Sequence, residues 1–167
     1  MLVYSHAYDI YHTIFRILRI VEKHHSEIEI DKLRILDFYL AFPSELLEIK
    51  SFKGFKKYED ILKSEQNSYE RILNRKRLFF KMENIQFSAI RSLVAYEIFD
   101  AESFKNGKII RTTRPLEQNL LSRIEVVNQE NHNLITLITG PLASFNLYGH
   151  LGLKERTNLI DFKYDSI

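Results

Sequence analysis

Between residues 71 and 114 the chain changes character, and this stretch restricts the fold more than any other. A helical pattern runs over 85–96, preceded by a short helix over 77–82. A turn at Asp100 follows, then the segment 103–112 with Asn106-Gly107 at its centre. Asn-Gly marks a tight turn, because both residues tolerate positive φ. The β-branched pair Ile109-Ile110 after it reads as a strand. Helix, turn and hairpin in that order are the grammar of a winged helix-turn-helix. Charge follows the same boundaries. The stretch carries ten Lys and Arg against four Asp and Glu, whereas residues 1–70 hold ten against twelve and residues 115–167 four against six. The whole chain is only +2, so the positive field is local and suits phosphate or an acidic protein surface.

A chain of 167 residues is expected to form a single domain, and it can bury about 70% of the surface it exposes when unfolded. It has no cysteine, which excludes disulfides and thiolate metal or redox sites and fits a reducing compartment. Twelve Phe and nine Tyr imply an aromatic-rich core or interface. Five Gly and three Pro leave the chain mostly in regular structure. The expected class is mainly α (α+β), a winged-helix core with additional helices and a small β-wing. No apolar run approaches the roughly 20 residues of a membrane span. Asp9, His12, Arg16 and Arg19 interrupt the apolar stretch that a signal peptide would need. The expected setting is the cytoplasm.

Residues 1–25 hold an amphipathic helix. Ala7, Ile10, Tyr11, Ile14, Phe15, Leu18 and Val21 recur at steps of three and four, and Asp9, His12, Arg16, Arg19 and Lys23 fall on the other side. The stripe is either core of its own domain or the seat of a partner. In the second case Ile10, Ile14, Phe15 and Leu18 are the contact residues. Asp31 reads as the N-cap of a second helix over 31–42, which together with 77–114 forms the winged-helix-like core. Residues 43–76 are an insertion, with a short helix from Pro43 to about residue 50 and a partly helical, weakly organised remainder. In the closing segment 115–167, Pro115 stands at a first helical position and Leu116, Leu120, Ile124 and Val127 step along one face. A continuous helix there has about 24 residues and a length of roughly 36 Å, unless the run 128–133 breaks it. Gly140-Pro141 ends it, and a C-terminal strand is expected over 158–165.

The outer face of 85–96 offers Ser88, Arg91, Ser92 and Ala95, which is poor in side chains that read base edges. The wing offers Lys105, Lys108 and Arg111, suited to phosphates. Together with Arg75, Lys76, Arg77, Lys81 and Arg91 they are the candidate contacts to double-stranded DNA or to an acidic partner. Three readings remain open: a protein-docking fold with a basic rim, a sequence-independent DNA binder, and a winged-helix transcriptional regulator. Catalytic patterns are scarce. There is no G-x-x-x-x-G-K-[ST] phosphate loop and no H-E-x-x-H. His24 and His25 point apart on a helix, and His6 and His12 share no helical face. No Ser or Cys nucleophile stands in a recognisable setting beside His150, Lys154 and Glu155. The expectation is a non-enzyme with no catalytic residue, metal or cofactor.

Four strings carry a family resemblance: Tyr8-Asp9-Ile10-Tyr11-His12, the run 30–40, Arg77-Leu78-Phe79-Phe80, and the ending 152–160. They resemble the small middle component of ABC three-component systems, the Lamassu-like anti-phage defence operons, and the similarity extends over nearly the whole chain. A Gly commonly stands where this chain has Asn158. The resemblance implies an accessory subunit that binds an SMC-like ABC ATPase subunit and helps hold or release an effector subunit, often a nuclease, when foreign DNA is sensed.

Overall fold

The structure, a computed structural model, describes residues 6–65 and 72–162. Its centre is helix α2 (Ile30–Ala41), in which every residue from 33 to 40 is buried. A helix enclosed on all sides needs neighbours all round it. Helices α1 (Ile10–Val21) and α4 (Arg75–Ala95) pack against α2 and against each other. A 3₁₀ helix (Pro43–Glu48) and a π-helical turn (Ile138–Leu142) cover the rest of it. The remaining helices are α3 (Lys56–Glu65), α5 (Ala101–Lys105), α6 (Gln118–Glu130), α7 (His132–Leu137) and α8 (Leu153–Thr157). The protein is mainly helical.

The one sheet among the described residues is small and joins distant parts of the chain. Strand β1 (Ile28–Glu29), between α1 and α2, runs antiparallel to β2 (Lys108–Ile109), with Ile28 opposite Ile109 and Glu29 opposite Lys108. A further antiparallel bridge joins Phe99 to Arg111. Odd positions of the segment 107–111 face β1, since Gly107 accepts from the Ile30 amide at 3.1 Å. Even positions face residues 98–100, through Ile110 O to the Asp100 amide and the Thr112 amide to Ile98 O, each at 2.9 Å. Alternation along a strand places these bonds on its two edges.

Several expectations need correction. The two helices expected over 77–82 and 85–96 are one, α4, capped by the Asn74 side chain on the Arg77 amide. Asn106-Gly107 does not turn a local hairpin. Asp100 caps α5 through the Ser103 amide at 2.8 Å, so residues 101–105 are helical, and Gly107 (φ 78°) ends that helix. The strand after it pairs on one edge with β1, about 80 residues away, and on the other with Phe99 through the bridge to Arg111. Helix α2 starts at Ile30 with Glu29 as its cap residue, not at Asp31, and Asp31 instead pairs with Arg34 at 2.9 Å. The segment 43–76 is not merely an insertion, because Leu46, Phe55, Tyr58 and Leu62 belong to the core. Its residues 66–71 lie outside the described ones.

The long C-terminal helix begins at Gln118, three residues after Pro115, and breaks at Asn131 (φ −108°, ψ 37°), inside the run of Asn and Gln side chains. Residues 158–162 form no strand: Asn158 takes the left-handed conformation that closes α8 (φ 52°, ψ 31°), and the chain bends after it. The rest of the expected strand, 163–165, is outside the described residues.

Candidate functional site

Helix α1 turns only part of its apolar stripe to the core. Ala7, Leu18 and Val21 are buried, but so are Thr13, Arg16, Ile17, Arg19 and Ile20, while Ile10, Ile14 and Phe15 are half-buried and Tyr11 is 79% exposed. Arg16 and Arg19 therefore lie inside, contrary to expectation. The cause is a polar network laid between α1, α2 and α4. Arg16 donates to both oxygens of Asp37, at 2.7 and 3.2 Å. Gln86 donates to Asp37 Oδ2 at 2.9 Å and to the Arg34 carbonyl at 3.1 Å. Arg34 returns a bond to Gln86 Oε1 at 3.1 Å, reaches Glu83 at 3.0 Å, and lies over the ring of Phe79. Asp37 and Gln86 have no exposed surface, so every lone pair here needs a protein donor. Arg19 is held apart from this network. It donates to Asn128 Oδ1 at 2.8 Å, and burial pushes its guanidinium pKa down to about 10.

The eight cations singled out in the sequence divide into two groups. Those of the presumed wing each face a carboxylate: Lys105 faces Glu102 (3.7 Å), Lys108 Glu27 (2.7 Å) and Arg111 Glu22 (2.6 Å). Glu27's hydrogen bond raises the Lys108 pKa above its ordinary value. Arg114 likewise pairs with Glu97. At the start of α4, Arg75 sits 3.9 Å from Glu45 and Lys76 bonds Asp161 at 2.5 Å. Arg77 and Lys81 are exposed and have no carboxylate partner among the described residues. Arg91 is exposed and rests over the Phe87 ring at 5.4 Å. These last three cations share one face of α4 with Asn84 and Ser88. That face was legible only in part, because splitting the helix hid the phase that connects Arg77 to Arg91.

The displaced stripe of α1 leaves a groove of about 370 Å³ between α1 and α6, lined by Tyr11, His12, Ile14, Phe15, Leu18, Leu120 and Arg123. Leu18, expected as a contact residue, is 1% exposed and forms the floor. Ile14 and Phe15 form the walls, and Ile10 is half-buried on the same helix. The Arg123 guanidinium lies 5.2 Å from the Phe15 ring centre, on the open side. Leu120 and Arg123 were missed as groove residues, since only the crossing of α1 and α6 brings them to the stripe, and Tyr11, on the stripe itself, was not singled out as a contact. His12 bonds Asp9 three residues away, whereas His6 reaches the Ala41 carbonyl and His24 the Thr139 carbonyl from distant parts of the chain. Among the described residues no group of three or more His, Asp or Glu side chains is placed to hold a metal ion. No described helix is long and apolar enough to cross a membrane.

Fold and surfaces together define a small, mainly helical protein with a basic helix face and an open apolar groove. Residues 2–165 match the family described as ABC-three component (ABC-3C) system Middle Component 5, and the chain belongs to that family. It is thus a component of a multi-part ABC system, which implies partner subunits. No curated protein and no solved structure matches it.

Proposed function

We propose that this chain is a non-catalytic accessory subunit of a Lamassu-like, SMC-associated anti-phage defence complex in the cytoplasm. In this reading it bridges an SMC-like ABC ATPase and an effector such as a nuclease, and it touches DNA without sequence preference. The observation that carries it is the groove between α1 and α6. A chain of this size can close its own core, yet it leaves Tyr11, Ile14 and Phe15 facing an open apolar channel. Such surface on a component of a multi-subunit system is what a partner's helix would cover.

Connectivity supports a winged-helix core: helix α1, strand β1, helices α2 and α4, then two short strand segments around β2, with β1 and residues 98–100 on opposite edges of 108–112. In this arrangement α1 itself belongs to the core and α5 takes the place of a wing loop.

The test is co-purification with an SMC-like ABC ATPase of the same three-component system. Arg123→Glu, on an exposed side chain, and Phe15→Asp are expected to weaken association by roughly 30-fold each, the scale of an interface hot spot. Circular dichroism of both variants separates lost docking from lost folding. Wild-type affinity in both folded variants would place the ATPase contact elsewhere.

A further inference from the structure

The positions 77, 81, 84, 88, 91 and 95 advance by alternating steps of four and three along α4, so they lie on one face of a single helix. They are Arg, Lys, Asn, Ser, Arg and Ala, with no acidic residue among them, and all but half-buried Ser88 are exposed. The only carboxylate on α4 is Glu83, and Arg34 of α2 already holds it. From Arg77 to Arg91 the stripe advances 14 positions, about 21 Å of helix. Cations thus stand at both ends, and short polar side chains stand at the centre.

We infer that this face of α4 lies in the major groove of double-stranded DNA. Arg77, Lys81 and Arg91 contact phosphates on the two walls, and Asn84 and Ser88 face the groove floor. The inference rests on the DNA contact of the proposed function, and it narrows that contact from the eight candidate cations to the three on this face of α4. Geometry selects the duplex type. The B-form major groove, about 12 Å wide, admits a helix, whereas the A-form groove of double-stranded RNA is too narrow for one. Electrostatics selects α4 over the wing, because Lys105, Lys108 and Arg111 each already face a carboxylate within 4 Å. A phosphate would have to displace those carboxylates. Among the described residues no carboxylate competes for it at Arg77 or Lys81.

Three phosphate contacts predict a log–log salt slope near −2.7 on duplex DNA, about a 40-fold loss of affinity between 50 and 200 mM salt. Binding of the full chain to a labelled duplex of arbitrary sequence, followed by fluorescence anisotropy across that range, measures it. Arg77→Ala, Lys81→Ala and Arg91→Ala together should remove the salt-dependent binding with the helical circular dichroism spectrum unchanged. The combination of Lys105→Ala and Lys108→Ala should leave affinity within about twofold of wild type. The inference is overturned by a wild-type chain that does not bind DNA at 50 mM salt. Equal affinity of the α4 triple variant, or tighter binding to an RNA duplex of the same sequence, also overturns it. Retained DNA binding with lost ATPase association in Arg123→Glu bears on the groove alone. The converse in the α4 variant separates the inference from the reading it rests on.

Discussion

Asp37 has no exposed surface and accepts hydrogen bonds from Arg16 on one helix and Gln86 on another. Its removal leaves the 5%-exposed Arg16 charge without a counterion. Asp37→Ala is therefore expected to destabilise the fold by about 3–5 kcal/mol, the usual effect of breaking a buried pair from one side. Replacing both partners with apolar residues, Arg16→Met with Asp37→Leu, should cost markedly less. Urea denaturation of the single and double variants measures both, and a double variant as unstable as the single would refute this account. None of this was legible in the sequence. Arg16 and Arg19 face away from the apolar stripe of their helix, and a periodicity argument sends charged residues to water. Their partners lie 21 and 109 residues away, beyond any local pattern. Asn158 is the opposite case. Its left-handed backbone at the end of α8 accounts for Asn, and equally for Gly, at that position. Asn158→Gly should be close to neutral, and Asn158→Val should cost about 1–2 kcal/mol in a thermal or urea melt.

At the scale of elements, α1 and α2 were placed to within a few residues, because their apolar spacing is dense and their flanks carry Asp9 and Pro43. The single helix α4 was read as two, since Glu83-Asn84 interrupts the apolar run. Yet neither residue breaks a helix, and Glu83 is held by Arg34 on a neighbouring one. The segment after Asp100 was misassigned for a related reason. Asn-Gly suits a hairpin turn and also ends a helix, and the choice depended on a strand near residue 28 that no window around residue 107 contains. Glycine at position 152 has a sharper role. A β-carbon there would meet the Tyr148 carbonyl oxygen at 2.4 Å and the Asn146 oxygen at 3.0 Å. The same backbone receives the Leu153 amide at 2.7 Å, which docks α8 against residues 146–147. Gly152→Ala must push α8 from that seat and should cost about 1–3 kcal/mol. An unchanged melting temperature would mean the loop 146–150 yields freely.

For the whole molecule, the groove lies between α1 and α6 and the basic stripe runs along the outer face of α4, with separate residue sets. Partner docking and DNA contact are then expected to be lost independently. The combined variant Arg77→Ala, Lys81→Ala, Arg91→Ala should still co-purify with the ATPase, and Arg123→Glu should still bind duplex DNA. Loss of both functions in either variant would mean the two surfaces act as one. The sequence disclosed that the chain was basic in one region and apolar along one helix. It could not disclose that Glu22 and Glu27 pair with Arg111 and Lys108, because these carboxylates approach from the other end of the chain.

The break at Asn131 has a kinetic consequence. Helix α6 has 13 residues, of which only Ile124 is fully buried, and the Arg19–Asn128 pair of hydrogen bonds (2.8 and 3.2 Å) ties its C-terminal half to α1. A helix so lightly anchored opens at far lower free energy than the molecule unfolds, whereas α2, enclosed on every side, opens only with the whole. Deuterium should therefore reach the amides of α6 orders of magnitude sooner than those of α2. A partner seated against Leu120 and Arg123 would slow that uptake by the free energy with which it binds the closed form. The lifetime of α6 in its closed state would then report on occupancy of the groove.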